Sequence, residues 1–278
     1  MASLTSSAIL PWLSILAVAA LVLVPLGLLG WLIFFTDVFV VQAVTVTDAR
    51  PHTIAAAKKI IEEQLSQNPA RKNIFFIPTD TLEQSIITSL PQVRTVYVAR
   101  KLPGTVKAII QEKTASLLLL SRGKYYFVDA QGIAYEEARL ETLPGTILPI
   151  VKNNDANSQV TVGIPVVAKS FVEFVTYMEK ELPAATKAAI AEIRIPSLSA
   201  REVHLLLSNN WVIRFDVTRS ADIQLATLQK LLAGTISPDE QKKLDYIDMR
   251  IPDRVYYKTH DAPAPTPRPT PAATADTP

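Results

Sequence analysis

From Ile9 to Phe35 the chain runs through 27 consecutive uncharged residues, nearly all apolar, and no charged side chain occurs before Asp37. About 20 apolar residues suffice to cross a bilayer core, and each charge at its centre would cost roughly 2.5–3.5 kcal/mol. Trp12 and Trp31 lie near the two ends, where amphipathic rings suit the headgroup belts, and Pro25 and Gly27 are tolerable inside a membrane helix. A cleavable signal peptide would bring a basic start and an apolar core of about 7–15 residues. This segment has no basic residue and a longer core. Residues 9–35 therefore read as one retained transmembrane helix in contact with lipid, preceded by a short segment, 1–8. Charge does not settle orientation, because no Lys or Arg precedes the span and the first one after it is Arg50.

Beyond Asp37 the pattern is that of a water-soluble α+β protein. Val38–Val46 is apolar and β-branched and reads as a strand. Thr53 can cap a helix with Ile54, Ala57, Ile61 and Leu65 at helical spacing, ended by Asn68-Pro69. Thr79 opens a second helix with Leu82, Ile86 and Leu90 on one face, stopped by Pro91. Val93–Arg100 and Thr105–Gln111 alternate as strands around a Leu102-Pro103-Gly104 turn. This β-α-α-β-β order over residues 38–113 is small but adequate for one core. A strand-rich α+β region follows over 115–260. Leu117–Leu120 and Tyr125–Val128 flank a Ser121-Arg122-Gly123 turn, and Asp129–Gly132 supplies the next. Ile164–Leu182 carries the clearest apolar stripe of a helix. Strands are predicted at Ala189–Ile195, Glu202–Leu207 and Trp211–Val217, then a helix at Ala221–Leu232. A final strand, Leu244–Arg250, is extended by Val255–Lys258. Six of the last 18 residues are proline, so 261–278 reads as a disordered, solvated tail.

Little here points to catalysis. With 28 basic and 26 acidic residues the chain is too evenly balanced, and its basic and aromatic residues too dispersed, for a nucleic-acid surface. The absence of cysteine excludes disulfides, thiolate zinc sites and a thiol nucleophile. His52, His204 and His260 are scattered, and no phosphate loop, dinucleotide fingerprint or nucleophile elbow is present. The acidic pairs Glu62/Glu63 and Glu136/Glu137 are sequence neighbours, which do not face each other on a helix. His204 reads as a structural histidine in a strand, and Asp129 as a turn residue bonding nearby amides. No cofactor, metal or small-molecule substrate is expected. What remains is binding by strand edges, helix faces and the membrane helix.

Three stretches carry a resemblance. Leu90-Pro91-Gln92-Val93 through Arg100-Lys101-Leu102-Pro103-Gly104-Thr105-Val106, closing on Glu112-Lys113, resembles the end of a POTRA domain in the FtsQ/DivIB cell-division proteins. Lys124-Tyr125-Tyr126-Phe127-Val128-Asp129-Ala130-Gln131-Gly132 resembles that family's first β-domain hairpin, followed by Leu143-Pro144 and Leu148-Pro149-Ile150. Tyr246-Ile247-Asp248-Met249-Arg250-Ile251-Pro252-Asp253-Arg254-Val255-Tyr256 is similar to its closing strand. The order is right, behind a single span, and the match covers most of 36–258.

The resemblance implies a bitopic protein of the inner membrane at the division septum. Its N-terminus, 1–8, would be cytoplasmic, and a POTRA domain and a β domain would lie outside. Family members are non-enzymatic divisome scaffolds that bind the coiled-coil proteins FtsB and FtsL and help control septal peptidoglycan synthesis. Carried onto this chain, the partner-binding residues would be Arg250 as the charged contact, Tyr256 and Tyr257 as aromatic anchors, with Tyr246 and Asp248 beside them. The residues themselves leave Tyr246, Asp248 and Arg250 open to a second use, holding the strand to its own sheet. Another POTRA-bearing assembly or secretion factor, acting by the same strand addition, is the alternative function. A membrane-anchored cell-wall hydrolase would need a convergent site that the sequence does not display.

Overall fold

The computed structural model describes residues 9–67, 72–138 and 148–260, with side chains at 9–14 and 35 excepted. The segments 1–8 and 261–278, the Asn68-Pro69 break and the Leu143-Pro144 pair lie outside the described residues. The chain forms α+β structure behind one apolar helix, in two compact units that divide between Lys113 and Thr114.

Helix α1 spans Ile9–Phe35, and at 1.5 Å per residue its 27 residues are about 40 Å long. Its stretch Ile15–Phe34 is long and apolar enough to cross a membrane and is not buried inside the protein. A 3₁₀ turn, Asp37–Phe39, follows, so strand β1 is confined to Ala43–Thr47 instead of starting at Val38 as expected. The turn closes through Val40 N–H to Asp37 C=O, and Val41 N–H donates to Lys72 C=O, which delays the ladder. Helix α2, Pro51–Ser66, starts two residues before the expected Thr53 cap. Pro51 fits the first helical position, where the missing N–H is no loss, and Thr53 is buried inside the first turn.

Helix α3 covers Thr79–Ser89, and strands β2, Val93–Lys101, and β3, Thr105–Glu112, form a hairpin. The sheet order is β1-β3-β2, with β1 parallel to β3. Strict alternation puts Val106, Ala108 and Ile110 of β3 on one face, where Ala57 and Ile61 of α2 and Leu82 and Ile86 of α3 cover them. Arg50 donates its backbone N–H and its Nε (2.7 Å) to the Glu112 carboxylate, tying the start of α2 to the end of β3.

The second unit is one nine-stranded sheet with two helices on one face. Strands β4 (Ala115–Ser121), β5 (Lys124–Asp129) and β6 (Ala134–Ala138) form a meander. Arg122 and Gly123 both have positive φ, so β4 and β5 join through the two-residue turn whose twist matches paired strands. Strand β7 is Ile150–Asn153, helix α4 Lys169–Thr186, and strands β8, β9 and β10 are Ile190–Ile195, Glu202–Leu207 and Val212–Asp216. Helices α5, Ala221–Lys230, and α6, Pro238–Gln241, lead to β11, Leu244–Asp248, and β12, Tyr256–Thr259. The order is β12-β11-β10-β9-β8-β7-β4-β5-β6. Ile193, Leu205, Ile213 and Ile247 line the inner face and pack with Phe171, Met178 and Leu228 of the helices.

In the second unit two elements depart from expectation. Helix α4 starts at Lys169, not Ile164: Gly163 has positive φ, Pro165 bridges Ile133, and Val166 N–H bonds Gly132 C=O. Proline also disfavours helical backbone in the residue before it. The closing strand is not continuous either. The chain reverses over Met249–Val255, helped by Pro252 and a positive φ at Asp253, and β12 returns antiparallel to β11.

Candidate functional site

On the sheet face away from α4 and α5, a polar row crosses strands β7 to β12. Pairing sets Lys152 opposite Arg194, Arg194 opposite His204, His204 opposite Arg214, Arg214 opposite Asp248, and Asp248 opposite Tyr256. The cause is the two-residue period of a strand: the residues next to these on β7 to β11, Val151, Ile193, Leu205, Ile213 and Ile247, face the apolar core. Tyr246 and Lys258 share the polar face one rung along, whereas Tyr257, opposite Ile247, lies on the helix-covered side.

Arg250 organises the end of the row. Its Nε donates to Asp248 Oδ1 at 2.9 Å, Nη2 to Asp248 Oδ2 at 2.5 Å, and Nη1 to Glu202 Oε2. Its backbone N–H also reaches Asp248 Oδ1, at 3.1 Å. This is the planar fork meeting a carboxylate on two parallel bonds. The Arg250 guanidinium holds the Asp248 carboxyl below the usual carboxylate range despite its burial, and Arg250 is in turn held more firmly protonated by Asp248 and Glu202. Arg214 Nη1 stands 3.8 Å from Asp248 Oδ2, and its guanidinium lies 4.8 Å over the Tyr246 ring. His204 Nε2 is 3.3 Å from Glu202 Oε1. Burial pushes His204 below its ordinary value, helped by Arg214 and Arg250 and opposed by Glu202. On β8, bonding to Arg194 lowers Glu192.

The five residues singled out in the sequence thus occupy different places. Asp248 is buried, and Arg250 spends its fork on groups of its own unit. Tyr246 is half-buried under Arg214. Tyr256 and Tyr257 are 46% and 38% exposed on β12, on opposite faces. Sequence reasoning missed Glu202 and Arg214 as members of the Arg250 cluster, and the Glu192–Arg194 pair on the neighbouring strand. The available signal was their alternation with apolar residues in three neighbouring strands, which gives the face but not the partners.

Carboxylates matched to arginines cannot readily give or take protons near neutrality, so the row suits recognition by charge and shape more than acid–base chemistry. Among the described residues no group of three or more His, Asp or Glu is placed to hold a metal ion.

Strand β12 ends the sheet, and no described strand pairs with its outer side. The opposite edge, β6, runs into residues outside the described set. In the first unit, β2 is an edge whose Val98 N–H is occupied by Glu83 of α3 at 2.7 Å.

No curated protein matches the chain. Two family models do: the FtsQ-type POTRA domain over residues 40–113, and the C-terminal region of cell division protein FtsQ/DivIB over residues 118–250. Strand β12 lies beyond the second match. Together the two models span both units in the order the strands and helices take, and the chain belongs to the FtsQ/DivIB family of cell division proteins.

Proposed function

We propose that this chain is a single-pass scaffold of the bacterial division machinery rather than an enzyme. It captures FtsB- and FtsL-like coiled-coil proteins by strand addition to β12 and so helps control septal peptidoglycan synthesis. Its N-terminus is cytoplasmic, and its two extracytoplasmic domains, read as 38–113 and 115–260, stand at the septum.

The observation that carries this reading is the edge position of β12 beside a charge-ordered sheet face. An outer strand presents an unpaired row of N–H and C=O groups, and an added segment gains main-chain bonds while alternate side chains supply selectivity. Tyr256 and Tyr257 flank such a segment from the two faces as rigid, amphipathic anchors. Arg214, Tyr246 and Lys258 extend the contact surface on the polar side. The β2 edge is a poorer template, because Glu83 already takes one of its amides.

The test is capture of single-span coiled-coil proteins from membranes of the source cells by the full chain and by a Tyr256→Ala/Tyr257→Ala variant. The double variant should retain the wild-type melting temperature and lose at least tenfold in capture. Wild-type capture by a folded double variant would remove β12 from the reading.

A further inference from the structure

The membrane-proximal end of the first unit carries apolar side chains that its own core does not use. A 3₁₀ turn, Ile74–Phe76, follows α2 and buries Ile74 but leaves Phe75 40% and Phe76 49% exposed. The turn is fastened to the last turn of α1. Asn73 Nδ2 donates to Ile33 C=O at 2.7 Å, filling one of the carbonyls that a helix end leaves unpaired. The Phe76 ring lies 5.6 Å from Phe34, and Phe75 lies 5.0 Å from Phe39. Phe34 belongs to the stretch long and apolar enough to cross a membrane.

Two further features point the same way. Gln42 and Ala43 N–H both donate to Gly104 C=O, which brings the β2–β3 turn to the same end of the unit. That turn carries Leu102, 57% exposed. Lys72 and Lys101 are exposed beside these apolar groups; of the acids, Asp37 follows the exit of α1, and Glu62 lines a cleft with Val40, Val41, Lys58 and Lys72.

We infer that this end of the first unit is a membrane-docking surface. Phe75, Phe76 and Leu102 enter the interface of the leaflet that α1 leaves, and Lys72 and Lys101 meet anionic headgroups. The inference rests on α1 spanning the bilayer, since a ring packed on Phe34 shares its depth. Aromatic rings are favoured at that level, and a basic rim adds attraction to anionic lipid. The unit is then held against the bilayer instead of swinging from a flexible stalk.

The full chain has no cysteine, so one introduced thiol gives one label. Phe76→Cys, Ser89→Cys and Leu28→Cys chains, labelled with an environment-sensitive fluorophore, are reconstituted in phosphatidylcholine/phosphatidylglycerol vesicles. Ser89 is the exposed last residue of α3, which begins three residues after Phe76, and serves as the aqueous reference. Leu28 reports the span. The label at 76 should be quenched by shallow spin-labelled lipid, and iodide should quench it at least threefold less than the label at 89.

Behaviour at 76 like that at 89 overturns the inference. Protection at 76 from both quenchers also overturns it and indicates a protein occupant. A label at 28 untouched by deep spin-labelled lipid refutes the span itself, and the docking surface with it. Phe75→Cys supplies a second reading of the same face should Phe76→Cys fail to fold, and must give the same pattern.

Discussion

Removing the Arg250 guanidinium would leave the Asp248 carboxylate, 12% exposed, with Arg214 at 3.8 Å as its remaining cation. Losing one partner of a fully buried pair costs about 3–5 kcal/mol. Arg250 is 34% exposed, so solvent screening reduces the expectation for Arg250→Ala to about 1–2 kcal/mol. Arg250→Lys should recover under half of that, because an ammonium cannot reproduce the fork. Denaturant unfolding of residues 37–260 measures both, and an unchanged midpoint in Arg250→Ala would show the network to be energetically idle. Loss of partner capture in Arg250→Ala therefore has to be read against its stability, which the tyrosine variants avoid.

The same cluster sets a pH dependence. Folding depresses His204, so as pH falls past about 6.5 the unfolded chain binds a proton before the folded one, and stability drops. Asp248 and Glu192 are also depressed: their contribution is complete above about 4 and is lost as pH falls through their lower folded values. Melting temperature should fall in both windows. His204→Gln should flatten the first, and Asp248→Asn should lessen the second, which Glu192 still carries in part; wild-type slopes in both variants would contradict the assignment.

At the scale of elements, the turn at Gly132 decides where α4 can begin. Gly132 has φ +83°, and a Cβ there would lie 2.0 Å from the Val167 carbonyl oxygen. Gly132→Ala should cost about 2–4 kcal/mol, combining a strained backbone with displacement of the Gly163–Val167 segment. Gly123→Ala, with positive φ but nothing within 4 Å, should cost about 1 kcal/mol. Equal losses in the two melts would remove the packing argument.

This turn also shows how far the sequence could be read. Asp129 accepts from the Gln131 and Ile133 amides, the local bonding expected of an aspartate in a turn. The β-α-α-β-β order and the alternation of β2 and β3 were legible because each depends on spacing within one segment. The later start of α4 was not, since Lys169 lies 37 residues after the Gly132 turn that sets it. Nor was the hairpin of β11 and β12, because a period-2 pattern reads the same whether a strand continues or folds back. That Arg250 and Asp248 hold the closing segment to its own sheet stood open in the sequence, but the bond to Glu202, 48 positions away, was not legible there.

At the scale of the whole molecule, orientation is under weak control. No side chain among residues 1–36 is charged, and the first basic residue beyond α1, Arg50, lies fifteen positions past Phe35. The positive-inside bias counts Lys and Arg within about 15–20 residues of a span, so neither side holds a decisive excess. The proposed N-in topology should therefore shift with few charges. Protease added outside spheroplasts should digest residues 37–260 of the wild-type chain. Asp37→Lys/Val38→Lys should raise the protected, inverted fraction severalfold, whereas Ser6→Lys/Ser7→Lys should leave none measurable. Combining the four changes should restore the wild-type pattern, because the charges then balance again across the span. Full protection of the wild-type domains would reverse the topology and place β12 on the wrong side of the membrane for any extracytoplasmic partner. An inverted fraction unmoved by Asp37→Lys/Val38→Lys would instead mean that the folded domains fix orientation, independently of charge.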